Sequence, residues 1–227
     1  MLTSLDTVSK KIVSCRKCPR LVEFREKIAT EKRRQFAEFE YWGRPVPGYG
    51  DYNARLVVVG LAPAAHGGNR TGRVFTGDSS AKFLVKHLYE SGFANQPTSE
   101  TRDDGLIYKD CYITAAVRCV PPDNKPTKEE ISNCESYFEN ELFLLENCEI
   151  IMALGKLAFD SVLNFARKQY SVKGKFEFEH GRRFVLSEDF PFVYASYHPS
   201  PRNTNTGKLT SKMFGRVLAD IRSNLDH

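Results

Sequence analysis

Leu56-Val57-Val58-Val59-Gly60-Leu61-Ala62-Pro63-Ala64-Ala65-His66-Gly67-Gly68-Asn69-Arg70-Thr71-Gly72-Arg73-Val74-Phe75-Thr76-Gly77-Asp78 reads as an apolar strand, a glycine-rich loop and the start of a helix. In open α/β sheets ligands bind at that junction, the carboxyl end of a strand. The loop matches neither the phosphate-cradling GxxxxGK(S/T) pattern nor the dinucleotide GxGxxG pattern, which argues against a nucleoside triphosphatase. Its contents suit a planar, uncharged ligand. Phe75 offers a ring for stacking, the glycines allow close backbone approach, and Arg70 and Arg73 are candidates to meet phosphates. An ordinary surface loop with a core Phe is the competing reading.

Outward from this stretch, strand-like and helix-like segments alternate. Strands are expected at Arg55–Gly60, Cys111–Val117, Ile150–Gly155 and Phe192–Tyr197, and helices at Ala81–Ser91, Thr127–Glu146, Lys156–Lys168 and Leu209–Asn224. The pattern predicts an α/β three-layer sandwich, with a central, mostly parallel four-stranded sheet flanked by helices, in one domain spanning residues 1–227. Upstream, the chain to about Phe39 reads as helical and residues 43–50 as loop. Thr127-Lys128-Glu129-Glu130 is a capping-box pattern, Asp78 offers a helix N-cap, and Phe176–Leu186 reads as a hairpin or irregular insert. The loop after Gly60, Ala115–Arg118, Gly155–Lys156 and Ser196–Pro201 each follow a strand's carboxyl end. A parallel sheet brings those four places to one crevice.

Composition narrows the class. With 41% hydrophobic and 27% charged residues, the 227-residue chain is neither disordered, collagenous nor membrane-spanning. Residues 1–6 lack the basic and apolar regions of a signal peptide, so a cytoplasmic protein is expected. Thirty-three Lys and Arg against 28 Asp and Glu give a net charge of +5, compatible with nucleic-acid binding. Basic residues gather early, at Arg16, Lys17, Arg20 and Lys32–Arg34, and late, at Arg202, Lys208, Lys212 and Arg216.

Six cysteines in a chain without an export signal do not read as a disulfide framework. Cys15 and Cys18 form a CxxC, while Cys119 ends a strand and Cys134 lies in the following helix. Four such thiolates suit either zinc or an iron–sulfur cluster, and the long second spacing favours the cluster. A redox CxxC is the weaker alternative, because no βαβ pattern surrounds it. Cys111 and Cys148 read as buried small hydrophobes.

Three segments together, GLAPAAHGGNRTGRVFTGD at Gly60–Asp78, RCVPPDNKPTKEE at Arg118–Glu130 and HPSPRNTNTG at His198–Gly207, resemble the uracil-DNA glycosylase superfamily, and its family 5 above all. The resemblance covers nearly the whole chain. It implies hydrolysis of the N-glycosidic bond of uracil and other deaminated bases in DNA, with hypoxanthine and xanthine among them, after the nucleotide is flipped out of the duplex. It further implies that Cys15, Cys18, Cys119 and Cys134 hold a 4Fe-4S cluster. Phe75 would stack on the flipped base, His198 would contact its edge, and Gly60 and Ala62 would line the pocket. The HPSPRN loop would enter the minor groove, with Arg202 or Asn203 filling the gap. Double-stranded DNA, and single-stranded DNA as well, are the implied partners of a monomer, with a sliding clamp as a candidate protein partner.

Two positions depart from the wider superfamily. Where the best-known family carries a water-positioning Asp this chain has Ala62, and where family 4 carries a uracil-reading Asn it has Ala115. The remaining polar candidates for catalysis are Asp78, His198, Asn124 and His66. Asp78 is either the water partner or simply a helix cap, His66 either acts or braces the loop, and Asn124 lies in a proline-bounded loop able to reach the site. A non-catalytic, iron–sulfur, redox-sensing nucleic-acid-binding module is the alternative that Ala62 and Ala115 leave open.

Overall fold

The computed structural model describes residues 4–226. At its centre lie the four anticipated strands: β2 (Leu56–Gly60), β3 (Cys111–Ala115), β4 (Ile150–Leu154) and β6 (Phe192–Ser196). Neighbouring members pair in parallel, β3 with β2, β2 with β4 and β4 with β6. Every residue of β2, β3 and β4 is buried, as expected where helices cover both faces of a parallel sheet.

The sheet has six strands rather than four, in the order β1-β3-β2-β4-β6-β5. The additions are two-residue edge strands, β1 (Tyr49–Gly50) and β5 (Arg183–Phe184), both antiparallel to their neighbours. Segments this short carry no periodicity, and β1 lies inside a run of Gly and Pro. At Gly50 a Cβ would come within 2.4 Å of the Cys111 carbonyl oxygen, so glycine is what lets this edge close on β3.

Alternate strand residues face opposite layers. Leu56 and Val58 pack with Leu84, Leu88, Phe214 and Leu218 of helices α4 (Ser79–Glu90) and α8 (Ser211–Leu225). Val57 and Val59 pack with Phe138, Phe159 and Val162 of α5 (Lys128–Leu144) and α6 (Lys156–Tyr170). The expected capping box opens α5, with Thr127 accepting from the Glu130 N–H and the Glu130 carboxylate accepting from the Thr127 N–H.

The N-terminal segment is not one helix. The cysteine turn divides α1 (Leu5–Val13) from α2 (Pro19–Glu31), with Pro19 at the first position of the second, where its missing N–H has no cost. Two short helices complete the chain, α3 (Gly68–Thr71) in the glycine-rich loop and α7 (Pro201–Asn205) after β6. Among the described residues, no helix is long and apolar enough to cross a membrane.

Candidate active site

The four strand ends do converge. Gly60 lies opposite Ala115 in the β2–β3 register, and the ladder continues past it as the Ala116 and Val117 N–H groups donate to the carbonyls of Gly60 and Leu61. On the other side, Gly155 donates to the Ser196 carbonyl at 2.7 Å, and a Cβ on Gly155 would stand 3.4 Å from the Cβ of His198.

Phe75 and His198 face each other across this crevice, their ring centroids 6.0 Å apart and tilted by 33°. Phe75 holds a left-handed backbone conformation, φ 45°, unusual for a bulky residue. Two features fix it there. Its carbonyl accepts a hydrogen bond from Ser99 Oγ at 2.9 Å, and Gly60 leaves room for its ring, since a Cβ would stand 2.9 Å from Phe75 Cε2. Burial pushes the His198 imidazole down to about 4, so at neutral pH it is uncharged. Its carbonyl accepts from the amide of Asn203 at 2.8 Å, which ties that residue to the loop, while Arg202 is exposed on α7.

Asp78 is the N-cap of α4, with Oδ1 accepting from the Ala81 N–H at 3.0 Å. Its other oxygen sits over Gly67, where a Cβ would come within 2.0 Å of it. Burial raises the carboxyl above its ordinary value, against the lowering effect of the backbone donors and Arg70. Cap and water partner are therefore compatible roles for its two oxygens.

His66 pairs Nδ1 with the Tyr41 hydroxyl at 3.0 Å and packs beside Phe36, which is the geometry of a loop brace. Burial depresses its proton affinity, with help from Arg33 and Arg70. Asn124 is exposed in a left-handed turn and makes no side-chain hydrogen bond among the described residues. Ala115 is buried at the strand end, and Ala62 packs toward the cysteines.

Arg70 and Arg73 are not phosphate contacts. Both are buried and spend their guanidinium groups inside the protein, Arg70 on the carbonyls of His66 and Gly77, Arg73 on Thr76, Ser99, Asp104 and the Arg102 carbonyl. Within the early basic cluster, Arg16 pairs with Glu26 and Arg20 with Glu130.

Cys15, Cys18, Cys119 and Cys134 line one narrow recess between α2, the start of α5 and the chain after β3. Arg25 Nη1 donates to Cys119 Sγ at 3.0 Å and Asn133 Nδ2 to Cys18 Sγ at 3.5 Å, while the buried Arg25 Nε has no partner among the described residues. Burial pushes the Cys119 thiol up to about 11 and raises Cys18 and Cys134 as well. Among the described residues, no three Cys, His, Asp or Glu side chains gather tightly enough for a single ion.

The family model for the uracil DNA glycosylase superfamily matches residues 47–222. The chain belongs to that superfamily. It is 47% identical to a type-5 uracil-DNA glycosylase of Pyrobaculum aerophilum, over 94% of this chain and 90% of the relative, and 46% identical to one of Thermus thermophilus, over 93% and 94%. A type-4 uracil-DNA glycosylase of Archaeoglobus fulgidus is 30% identical, over 88% of this chain and 83% of the relative.

Sequence reading missed several residues that organise this glycosylase-superfamily crevice. Ser99 holds the Phe75 loop, with Arg73 bracing Ser99 rather than meeting a phosphate, and Arg118 and Glu141 form a fully buried ion pair at 2.7 Å that also engages Thr114, one residue before Ala115. Glu141 accepts from the Gly48 N–H at 3.1 Å as well, tying the edge segment to α5. In the sequence only a charge at a core position of the α5 pattern marked Glu141, and Arg118 lies in the chain after β3 with no local pattern to mark it.

Proposed function

We propose that this protein is a monofunctional DNA glycosylase that removes uracil, hypoxanthine and xanthine from DNA, using water as nucleophile. The observation that carries the reading is the Phe75–His198 pair over Gly60, a stacking surface facing a neutral hydrogen-bonding ring at one sheet end. Reaching it requires the nucleotide to leave the helix, because a stacked base hides its glycosidic bond. The flipped base lies on Phe75. His198, uncharged, donates to its edge and stabilises the negative charge that grows on the departing base.

The sugar develops oxocarbenium character as the bond lengthens, and the phosphates on either side stabilise it. Asp78 holds the attacking water through the oxygen not engaged in capping α4, and accepts its proton as the water adds to the anomeric carbon. His66 holds the loop through Tyr41. Arg202, exposed beside the crevice, enters the duplex gap.

Cys15, Cys18, Cys119 and Cys134 are the proposed ligands of a 4Fe-4S cluster, which would cross-link the N-terminal helices to the chain after β3. Arg25 and Asn133, which donate to the Cys119 and Cys18 thiol sulfurs, would hold those two ligands in place. The test is direct: anaerobically purified protein should contain about four iron atoms per chain and absorb broadly near roughly 400 nm. Zinc at one per chain, without iron, overturns the ligand assignment. A single-turnover assay on duplexes carrying uracil, hypoxanthine or xanthine tests the activity, and release of no base refutes it.

A further inference from the structure

A groove of about 800 Å³ lies away from the Phe75–His198 crevice, between α1, the Cys15 turn, α2 and the segment around Trp42. Five cations line it, Lys10, Arg16, Arg25, Arg44 and Arg102, against two carboxylates, Asp6 and Glu26. Both carboxylates are engaged: Glu26 with Arg16, and Asp6 with the Tyr52 hydroxyl. Arg44 and Arg102 are not. Among the described residues neither guanidinium has a carboxylate or hydrogen-bond partner. Each instead lies over the indole of Trp42, at 5.7 and 4.7 Å from its centroid. Stacking fixes an Arg side chain while leaving its N–H fork open, which lowers the entropy lost on gripping a phosphate.

This wall is mechanically part of the Phe75 loop. The Trp42 backbone N–H donates to the Arg70 carbonyl at 2.9 Å, and the indole packs so closely on Gly72 that a Cβ there would approach to 2.7 Å. Buried Arg73 donates to the Arg102 carbonyl at 2.9 Å and to Asp104, while Ser99 from the same turn holds Phe75.

We propose that the Trp42 groove is a second DNA-contact site, in which Arg44 and Arg102 bind the sugar-phosphate backbone of duplex outside the lesion. This rests on DNA being the substrate, as argued above. Because groove and stacking loop are joined through Arg73, backbone held here sets the register in which a flipped base meets Phe75.

Trp42 is the chain's single tryptophan, so its emission reports occupancy of the groove. The experiment titrates the protein with undamaged duplexes of about one and about three helical turns, roughly 10 and 30 base pairs. The long duplex should change Trp42 emission. In R44Q/R102Q its affinity should fall about ten-fold and the slope of log affinity against log salt should shrink by about two, one for each phosphate no longer neutralised. The short duplex should bind both proteins alike, and R44K/R102K, which keeps the charge, should keep the slope. Unchanged emission at saturating long duplex, an unchanged slope, or equal losses on both duplexes would overturn the proposal. So would a response of Trp42 to an acidic peptide and not to DNA. Since the duplexes carry no lesion, failure to excise uracil would refute the enzymatic reading and leave this result standing.

Discussion

The rings of Phe75 and His198 lie 6.0 Å apart although one belongs to the loop after β2 and the other to the loop after β6. The separation is within the range of favourable aromatic contact, so each ring restrains the other before any base arrives. Gly60 is what admits the pair. Gly60→Ala places a methyl group 2.9 Å from Phe75 Cε2 and should push the ring out of register. A misplacement of this kind is expected to slow single-turnover excision on the order of 100-fold. A rate within a factor of two of the parent would show that Phe75 is not the stacking surface.

Asp78 combines a cap with a proposed water contact, and two substitutions separate them. Asp78→Asn retains capping ability and removes the charge, so the single-turnover rate should fall on the order of 100-fold while the melting temperature barely moves. Asp78→Ala should lose the same rate and about 1 kcal/mol of stability besides. Because burial raises this carboxyl, the acid limb of the rate profile should lie above the ordinary carboxylate range of about 4. Parent-like rates for Asp78→Asn would reduce Asp78 to a cap.

His198 leaves a signature in stability. Its folded value, about 4, lies below the ordinary 6.5, so between those limits the unfolded chain takes up a proton that the folded protein refuses. Stability should therefore decline as pH falls from about 6.5 to 4, and His198→Gln should flatten that decline. The same substitution should slow excision without weakening duplex affinity, since its contact strengthens as the base departs. Denaturant titrations across that range, paired with single-turnover rates, read both.

Ala115 bears on substrate range. An Asn side chain at this buried strand end would take up volume that the two-ring bases hypoxanthine and xanthine need and the smaller uracil does not, whereas Ala115 takes up little. Ala115→Asn is expected to narrow excision toward uracil. Unchanged release of the purine bases by that variant, compared in single turnovers, would remove position 115 from specificity.

The Arg118–Glu141 pair is completely buried, with 1% and 0% of the side chains exposed. Glu141→Leu leaves an uncompensated guanidinium in the core and should cost about 3–5 kcal/mol, while Arg118→Met/Glu141→Leu together should cost less than that single change. Urea unfolding of the two variants measures the difference directly.

Much of the fold follows from the sequence alone. The run Leu56–Val59 is apolar at every position because both faces of a parallel strand are covered, and Thr127 with Glu130 specifies a helix start through purely local hydrogen bonds. The crevice at the strand ends was legible for the same reason: parallel strands place their carboxyl termini at one edge. What tertiary structure decided was everything set by partners distant in the chain. The edge strands β1 and β5 exist only because β3 and β6 supply their hydrogen bonds. Arg70 and Arg73, which by charge and position suited phosphates, are drawn inward by carbonyls and by Asp104, since a buried guanidinium must satisfy its donors there. Arg44 and Arg102, unremarkable in the sequence, meet on one indole. Local pattern fixes which residues can form a strand, a cap or a loop; long-range packing settles which charges remain free to act.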